Sequence, residues 1–89
     1  MGSYKIIFKP SVEKDLQNLP RATVARTMER IEALAANPFP PASVKLSSSE
    51  RLYRIRVGDY RIVYEVDPKA NVAIVHHVRH RREVYRRIR

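Results

Sequence analysis

Hydrophobic and polar positions alternate most regularly over residues 52–66, which read LYRIRV, then Gly-Asp, then YRIVYEV. A period of two, aromatic and β-branched residues, and a two-residue link are typical of a β-hairpin with a tight turn. Such a turn predicts the ladder pairs Val57–Tyr60, Arg56–Arg61, Ile55–Ile62, Arg54–Val63 and Tyr53–Tyr64. One face then carries Tyr53, Ile55, Val57, Tyr60, Ile62 and Tyr64 as a predicted core, and the other carries Arg54, Arg56, Arg61 and Val63.

The three arginines of this second face define the first candidate site. Arginines that lie directly opposite each other on adjacent strands repel, so Arg56 facing Arg61 costs stability unless an anion or an acidic partner lies over them. A solvated face that water screens is the alternative interpretation. We expect this face to be open to a partner.

The N-terminal half predicts one strand and two helices. Residues 4–9 (YKIIFK) form an apolar run ended by Pro10, and the i, i+4, i+7 spacing that follows predicts a helix over Ser11–Leu19. Pro20 breaks this helix and opens a second one that ends near Asn37. Its predicted apolar stripe is Val24, Met28, Ile31 and Ala35, and its predicted wet side is Arg26, Glu29, Arg30 and Glu32.

The remaining segments complete an α+β fold. Residues 39–49 are a Pro- and Ser-rich linker with a short strand at 44–46, residues 67–71 are a turn, and residues 72–78 (VAIVHHV) are a buried strand. Residues 79–89 form a short basic helix or tail. We therefore predict one domain over residues 1–89: an N-terminal strand, an αα-hairpin, and a mostly antiparallel three- or four-stranded sheet whose Tyr/Ile face the helices cover.

Composition adds a strong electrostatic bias. The 89 residues carry 18 Lys plus Arg against 9 Asp plus Glu, a formal charge of +9 with a sequence pI near 10.5. Residues 46–89 hold most of this excess, which favours a polyanionic partner. There is no Cys, no apolar run long enough to span a membrane and no signal-peptide layout at the N-terminus, so we expect a cytoplasmic protein.

Few kinds of catalytic chemistry fit these residues. His76 and His77 are adjacent on a predicted strand and should point to opposite faces, so we expect no metal site, and no cofactor motif is present. The arginines and tyrosines remain, and their natural target is a phosphodiester, because a guanidinium binds phosphate through a planar fork. Tyr85 lies four residues after Arg81, on the same side of a helix, where it is free to stack on a base.

Two stretches carry a resemblance to a known family: Tyr53-Arg54-Ile55-Arg56 followed by Gly58-Asp59-Tyr60-Arg61-Ile62-Val63-Tyr64, and the ending Val78-Arg79-His80-Arg81-Arg82-Glu83-Val84-Tyr85. With the order of elements, they resemble the RelE/ParE toxin superfamily, closest to the RelE branch. The resemblance implies a type II toxin that cleaves mRNA in the ribosomal A site without a metal, with a RelB-like antitoxin and the ribosome as partners. It implies catalytic roles for Arg54, Arg56, Arg61, Arg81 and Tyr85, and RNA contacts from Arg51, Arg79, Arg82, Arg86, His77 and His80.

Three functions stay open at this point. The sister branch of ParE-like gyrase poisons shares the fold, and a basic module that binds RNA or a ribosome without cutting is the third. Arg54 and Arg56 stand where RelE-type enzymes often carry lysine, and arginine is a poor general base because it stays protonated. Tyr85, His77 and His80 are candidates for taking the 2′-hydroxyl proton, and Arg81 for protonating the leaving oxygen.

Overall fold

The computed structural model describes residues 3–46 and 51–80. Two helices separate a first strand from four later ones, in the order β1 (Lys5–Phe8), α1 (Pro10–Gln17), α2 (Arg21–Ala33), β2 (Val44–Lys45), β3 (Leu52–Val57), β4 (Tyr60–Asp67) and β5 (Val72–His80). The strands form one sheet in the order β1-β5-β4-β3-β2. Strands β2 to β5 are an antiparallel meander, and β1 adds to β5 in parallel, which confirms the predicted α+β class.

The central hairpin has the predicted register, from Val57–Tyr60 at the turn to Tyr53–Tyr64 and on to Leu52–Glu65. Gly58 takes a left-handed φ of 61°, whereas Asp59 does not have a positive φ, which is the pattern of a type II′ turn. Only glycine adopts this first central position without strain, and the twist of such a turn matches that of the two strands. The turn therefore fixes which side chains share a face.

Both helices lie close to their predicted limits. Pro10 is the first residue of α1, where its missing N–H is not needed. The last turn of α2 tightens into i to i−3 hydrogen bonds, with the amides of Leu34, Ala35 and Ala36 donating to the carbonyls of Ile31, Glu32 and Ala33. The helical structure thus stops just before the predicted end at Asn37.

The buried face of α2 differs from the predicted stripe. Ile31 is buried as expected, but the other buried positions are Thr23, Thr27 and Leu34, while Val24 and Met28 are only half-buried. Thr23, Thr27, Ile31 and Leu34 follow a spacing of four, four and three residues, so they also form a helical stripe. Threonine counts as polar in a hydrophobicity pattern, although its methyl group packs well in a core. The sequence pattern therefore predicted the neighbouring stripe. The predicted wet side is exposed.

The core lies between the helices and the predicted Tyr/Ile face of the sheet. It contains Val12, Ile31, Leu34, Ile55, Val57, Ile62, Tyr64, Val66, Val75 and Val78. Tyr64 is fully buried, stacks on Tyr53 and donates a 2.8 Å hydrogen bond to the Pro38 carbonyl. This bond fastens the Pro-rich connection to the centre of the sheet.

The basic helix or tail predicted over residues 79–89 is wrong for Arg79 and His80, which are the last residues of β5, and residues 81–89 lie outside the described part of the chain. Within residues 3–46 and 51–80, no helix is long and apolar enough to cross a membrane.

Candidate functional site

Three arginines lie in one row across the middle of the sheet. Arg56 on β3 is the ladder partner of Arg61 on β4, and Arg61 is in turn the ladder partner of Arg79 on β5. Ladder partners point to the same face, and neighbouring strands are about 4.8 Å apart, so three positive charges converge within roughly 10 Å. We call this set the arginine row. It lies on the face away from the helices.

The arginine row is less open than the sequence suggested. Arg56 is exposed, but Arg61 retains only 4% of its accessible surface, so the expectation of a fully open arginine face is wrong at its centre. The Arg61 Nη1 donates a long 3.3 Å hydrogen bond to the adjacent Tyr60 carbonyl, and its Nε has no partner in the described structure. No acidic side chain in the described residues pairs with it. Arg61 is thus a buried cation with unused hydrogen-bonding capacity.

A second row lies two ladder steps away on the same face and contains Arg54, Val63 and His77. Arg54 and His77 are half-buried, and Val63 packs with Leu46 and Leu52 in a small apolar cluster. Aliphatic side chains therefore lie beside Arg54, whose ladder partner is Val63. A cation held among apolar groups attracts an anion more strongly than one in open water.

A β-bulge on β5 changes the orientation expected for the histidines. The ladder passes from Tyr64–Val75 to Val63–His77, so His76 has no ladder partner. His76 Nε2 lies 3.0 Å from Glu65 Oε1, and Glu65 shares its face with Val63, the partner of His77. The prediction that His76 and His77 point to opposite faces is therefore wrong, because the extra residue resets the alternation. No group of three potential metal ligands occurs in residues 3–46 and 51–80.

Sequence reasoning underrated Arg79 and missed Asp15. Arg79 was expected to contact RNA, but its place in the arginine row depends on the bulge, which strict alternation cannot reveal. Asp15 on α1 accepts hydrogen bonds from the Val78 amide at 3.1 Å and from Arg79 Nε at 3.4 Å. The only sequence signal for Asp15 was an acidic residue on a helix whose first turn already contained Glu13.

Two other predicted residues that the structure describes, Arg51 and His80, do not belong to the arginine row. Arg51 lies five residues along the chain from Arg56, and its Nη1 is 3.8 Å from the Asp67 carboxylate. His80 is the ladder partner of Tyr60, and their rings meet edge to face at 5.5 Å, next to a pocket that Asp15 of α1 also lines. The remaining predicted residues, Arg81, Arg82, Tyr85 and Arg86, lie outside the described residues.

This arrangement can bind and polarise an anionic group. A row of fixed guanidiniums offers N–H donors in a plane, with partial exclusion of water, and it holds positive charge where a phosphoryl group would gain negative charge. It supplies no general base, because arginine stays protonated. Proton transfer would have to come from His77 or from residues outside the described part.

Comparison with known proteins defines the class to which this fold and site belong. The family model for the ParE toxin of type II toxin–antitoxin systems (parDE) matches residues 6–85. The chain therefore belongs to this toxin family, and the predicted membership of the RelE/ParE superfamily is confirmed.

Its relatives include RelE toxins from bacteria and archaea. Toxin RelE of Mycobacterium tuberculosis is 30% identical over 84 residues, which is 93% of this chain and 87% of that protein. Among solved structures, the archaeal RelE–RelB complex from Pyrococcus horikoshii has a TM-score of 0.79 and 33% identity, covering 89% of this chain and 96% of that chain. The RelB–RelE antitoxin–toxin complex from Methanococcus jannaschii has a TM-score of 0.77 and 28% identity, covering 91% and 96%.

Proposed function

We propose that this toxin is an endoribonuclease that cleaves mRNA in the ribosomal A site, needs no metal ion and is held inactive by a RelB-like antitoxin. The observation that carries the proposal is the arginine row, in which a buried cation has two like-charged ladder partners and a donor without a partner in the part of the chain that the structure describes. Such an arrangement is unfavourable in the free protein. An RNA phosphate would relieve it, and this activity would place the toxin in the cytoplasm.

The expected reaction is attack of a ribose 2′-hydroxyl on the adjacent phosphodiester, which gives a 2′,3′-cyclic phosphate and a 5′-hydroxyl. Arg61 and Arg79 would hold the phosphoryl oxygens and stabilise their growing charge, while the exposed Arg56 and the half-buried Arg54 would bind flanking backbone. His77 and Tyr85 are the candidates for proton transfer, with Arg81 near the leaving oxygen. Arg51, Arg82, Arg86 and His80 would contact RNA outside the reacting centre.

A second candidate is a ParE-like gyrase poison, which the ParE name of the matching family model favours. The relatives named RelE support the ribonuclease. The two functions differ in target, so one induction experiment separates them. Translation-dependent cuts in mRNA, mapped as new 5′ ends, are expected for the ribonuclease; intact mRNA with gyrase trapped on DNA would refute it.

Purified ribosomes carrying a defined mRNA provide the direct test. The wild type should cut the mRNA in the A site, and Arg61→Met and Arg79→Met should each lose at least about tenfold in rate, the effect of one lost charge-stabilising contact. Lys69→Met is the matched control, because Lys69 is an exposed cation in the β4–β5 turn. An equal loss in Lys69→Met would mean that total charge, rather than the arginine row, determines activity.

The antitoxin part of the proposal rests on the relatives solved as RelE–RelB complexes and on this chain's charge of +9. An acidic, partly disordered segment could wrap such a surface and fold on it. Co-expression with the neighbouring small reading frame should give a stable complex and relieve toxicity. Failure of that product both to bind and to relieve toxicity would contradict this part.

A further inference from the structure

Strand β5 extends beyond β1, and helix α1 covers the part of its edge that is left without a neighbouring strand. The last contact with β1 is the Lys9 amide, which donates to the Val75 carbonyl at 2.9 Å. Beyond it, Ser11 Oγ donates to the His76 carbonyl at 3.2 Å, and the Val78 amide donates to Asp15 Oδ2 at 3.1 Å. Side chains of α1 therefore replace a missing strand, as proteins often do at a sheet edge.

Asp15 makes a second contact in addition to this one at the sheet edge. Its second oxygen, Oδ1, lies 3.4 Å from Arg79 Nε, and the two side chains retain 13% and 16% of their accessible surface. Ser11 fastens the same helix to the same strand without touching an arginine. The carboxylate thus makes two contacts, one to the backbone at the strand edge and one to the side chain of Arg79.

The ion pair with Asp15 does not satisfy every hydrogen-bond donor of the Arg79 guanidinium. Arg79 Nη1 is buried and has no hydrogen-bond partner in the described residues. Both side chains also line a pocket of about 120 Å³, together with Tyr60, Val78 and His80, so the pair borders a cavity. A guanidinium fixed through Nε, with a spare donor at its other end, is pre-arranged to accept a further anion.

We propose that Asp15 is a positioning residue of the toxin: its carboxylate holds the Arg79 guanidinium at the end of the arginine row so that its spare donor can meet an RNA phosphate. This inference rests on the proposed function, and it adds a residue of α1 to a site otherwise built from strands. Asp15 itself touches neither substrate nor reacting atoms. Asp15 acts by fixing the orientation of Arg79. The Arg79 side chain then loses less conformational freedom when it binds a phosphate.

Asp15→Asn separates the two contacts of the carboxylate. Asparagine replaces one of the two carboxylate oxygens by an NH2 donor, so in the same position it keeps an acceptor for either the Val78 amide or Arg79 Nε, and its NH2 group faces the other donor. The amide is fixed in the backbone and the arginine side chain can move away, so the edge contact survives and Arg79 is released. Ser11→Ala is the matched control, since it removes a bond between α1 and β5 and leaves Arg79 untouched.

The first measurement is spectroscopic and needs no ribosome. In ¹⁵N NMR spectra, the Arg79 Nε–H should exchange slowly in the wild type and in Ser11→Ala, and rapidly in Asp15→Asn. Inorganic phosphate serves as the probe. It should shift the Arg79 resonance saturably in the wild type, and the affinity for phosphate should fall about tenfold in Asp15→Asn. Wild-type exchange and wild-type phosphate affinity in Asp15→Asn would overturn the inference.

The second measurement is single-turnover cleavage of ribosome-bound mRNA. Asp15→Asn should lower the rate at saturation by about tenfold with little change in the half-saturating concentration, because a misplaced group weakens transition-state contacts more than overall binding. Ser11→Ala should retain the wild-type rate. If both variants lose activity in proportion to their loss of stability, Asp15 is only a structural anchor and the inference fails.

The two measurements also separate the inference from the proposed function. A wild type that does not cleave mRNA overturns the ribonuclease, and the phosphate titration then still decides whether Asp15 positions Arg79 as an anion ligand. A wild type that cleaves, with unaffected Asp15→Asn, overturns only the inference.

Discussion

Replacing Arg61 by methionine should stabilise the free toxin while it slows cleavage at least about tenfold. Arg61 is 4% exposed, its Nε has no partner among the described residues, and it lies between two other arginines on the ladder. A buried, unsatisfied donor costs about 1–3 kcal/mol. Each like-charged ladder pair adds roughly 0.2–1 kcal/mol. Methionine keeps an unbranched apolar stem, so most of the packing remains.

Within residues 3–46 and 51–80, the one hydrogen bond that the substitution removes is that to the Tyr60 carbonyl, which is long at 3.3 Å. At about 0.5–1.5 kcal/mol it is smaller than the summed relief. The free energy of unfolding should therefore rise by roughly 1–3 kcal/mol, which raises the melting temperature by at least about 4 °C in a domain of this size.

Urea unfolding and thermal melts at pH 7 measure this change, and Arg56→Met is the control. Arg56 is exposed, so its replacement relieves one repulsion without freeing a buried charge, and stability should change by less than about 1 kcal/mol. A lower stability of Arg61→Met than of the wild type would show that Arg61 is held by favourable contacts. The arginine row would then be structural, and the argument for an anion site would fail.

Three further predictions test the fold and the site. Ile55→Ala and Ile62→Ala should each lower the free energy of unfolding by about 2–5 kcal/mol in urea titrations, because both side chains are fully buried; a loss below 1 kcal/mol would contradict the face assignment. Burial raises the pKa of Tyr64 from 10.0 to about 12. The neutral phenol is thus favoured in the folded state, so its stabilisation is complete below pH 10 and is lost as the pH rises towards 12, by roughly 1.4 kcal/mol at pH 11. Tyr64→Phe, which lacks the hydroxyl bound to Pro38, should lack this alkaline loss in unfolding curves from pH 9 to 11, and an identical slope in both proteins would refute the assignment. Tyr85→Phe should slow mRNA cleavage with an unchanged melting temperature, whereas an unchanged rate would remove its hydroxyl from the mechanism.

The central hairpin shows how much local rules determine. Its register follows from Gly58-Asp59 and from side chains that alternate in hydrophobicity, because both the turn and the alternation involve residues close in sequence. For the same reason the helix limits near Pro10 and Pro20 and the charge excess of the second half could be read directly from the chain. These features placed Arg54, Arg56 and Arg61 on one face.

The tertiary structure decided what required contacts between distant segments. The bulge at His76 moves Arg79 into the arginine row, and no residue pattern marks it, because it arises where β5 loses β1 as a neighbour and gains α1. The burial of Arg61 depends on packing over the sheet, and the reach of Asp15 to Arg79 spans 64 positions. The sequence thus determines strands, faces and net charge, because these depend on residues close together in the chain. The burial and pairing of the cations depend on contacts between distant segments, such as that of helix α1 with strand β5.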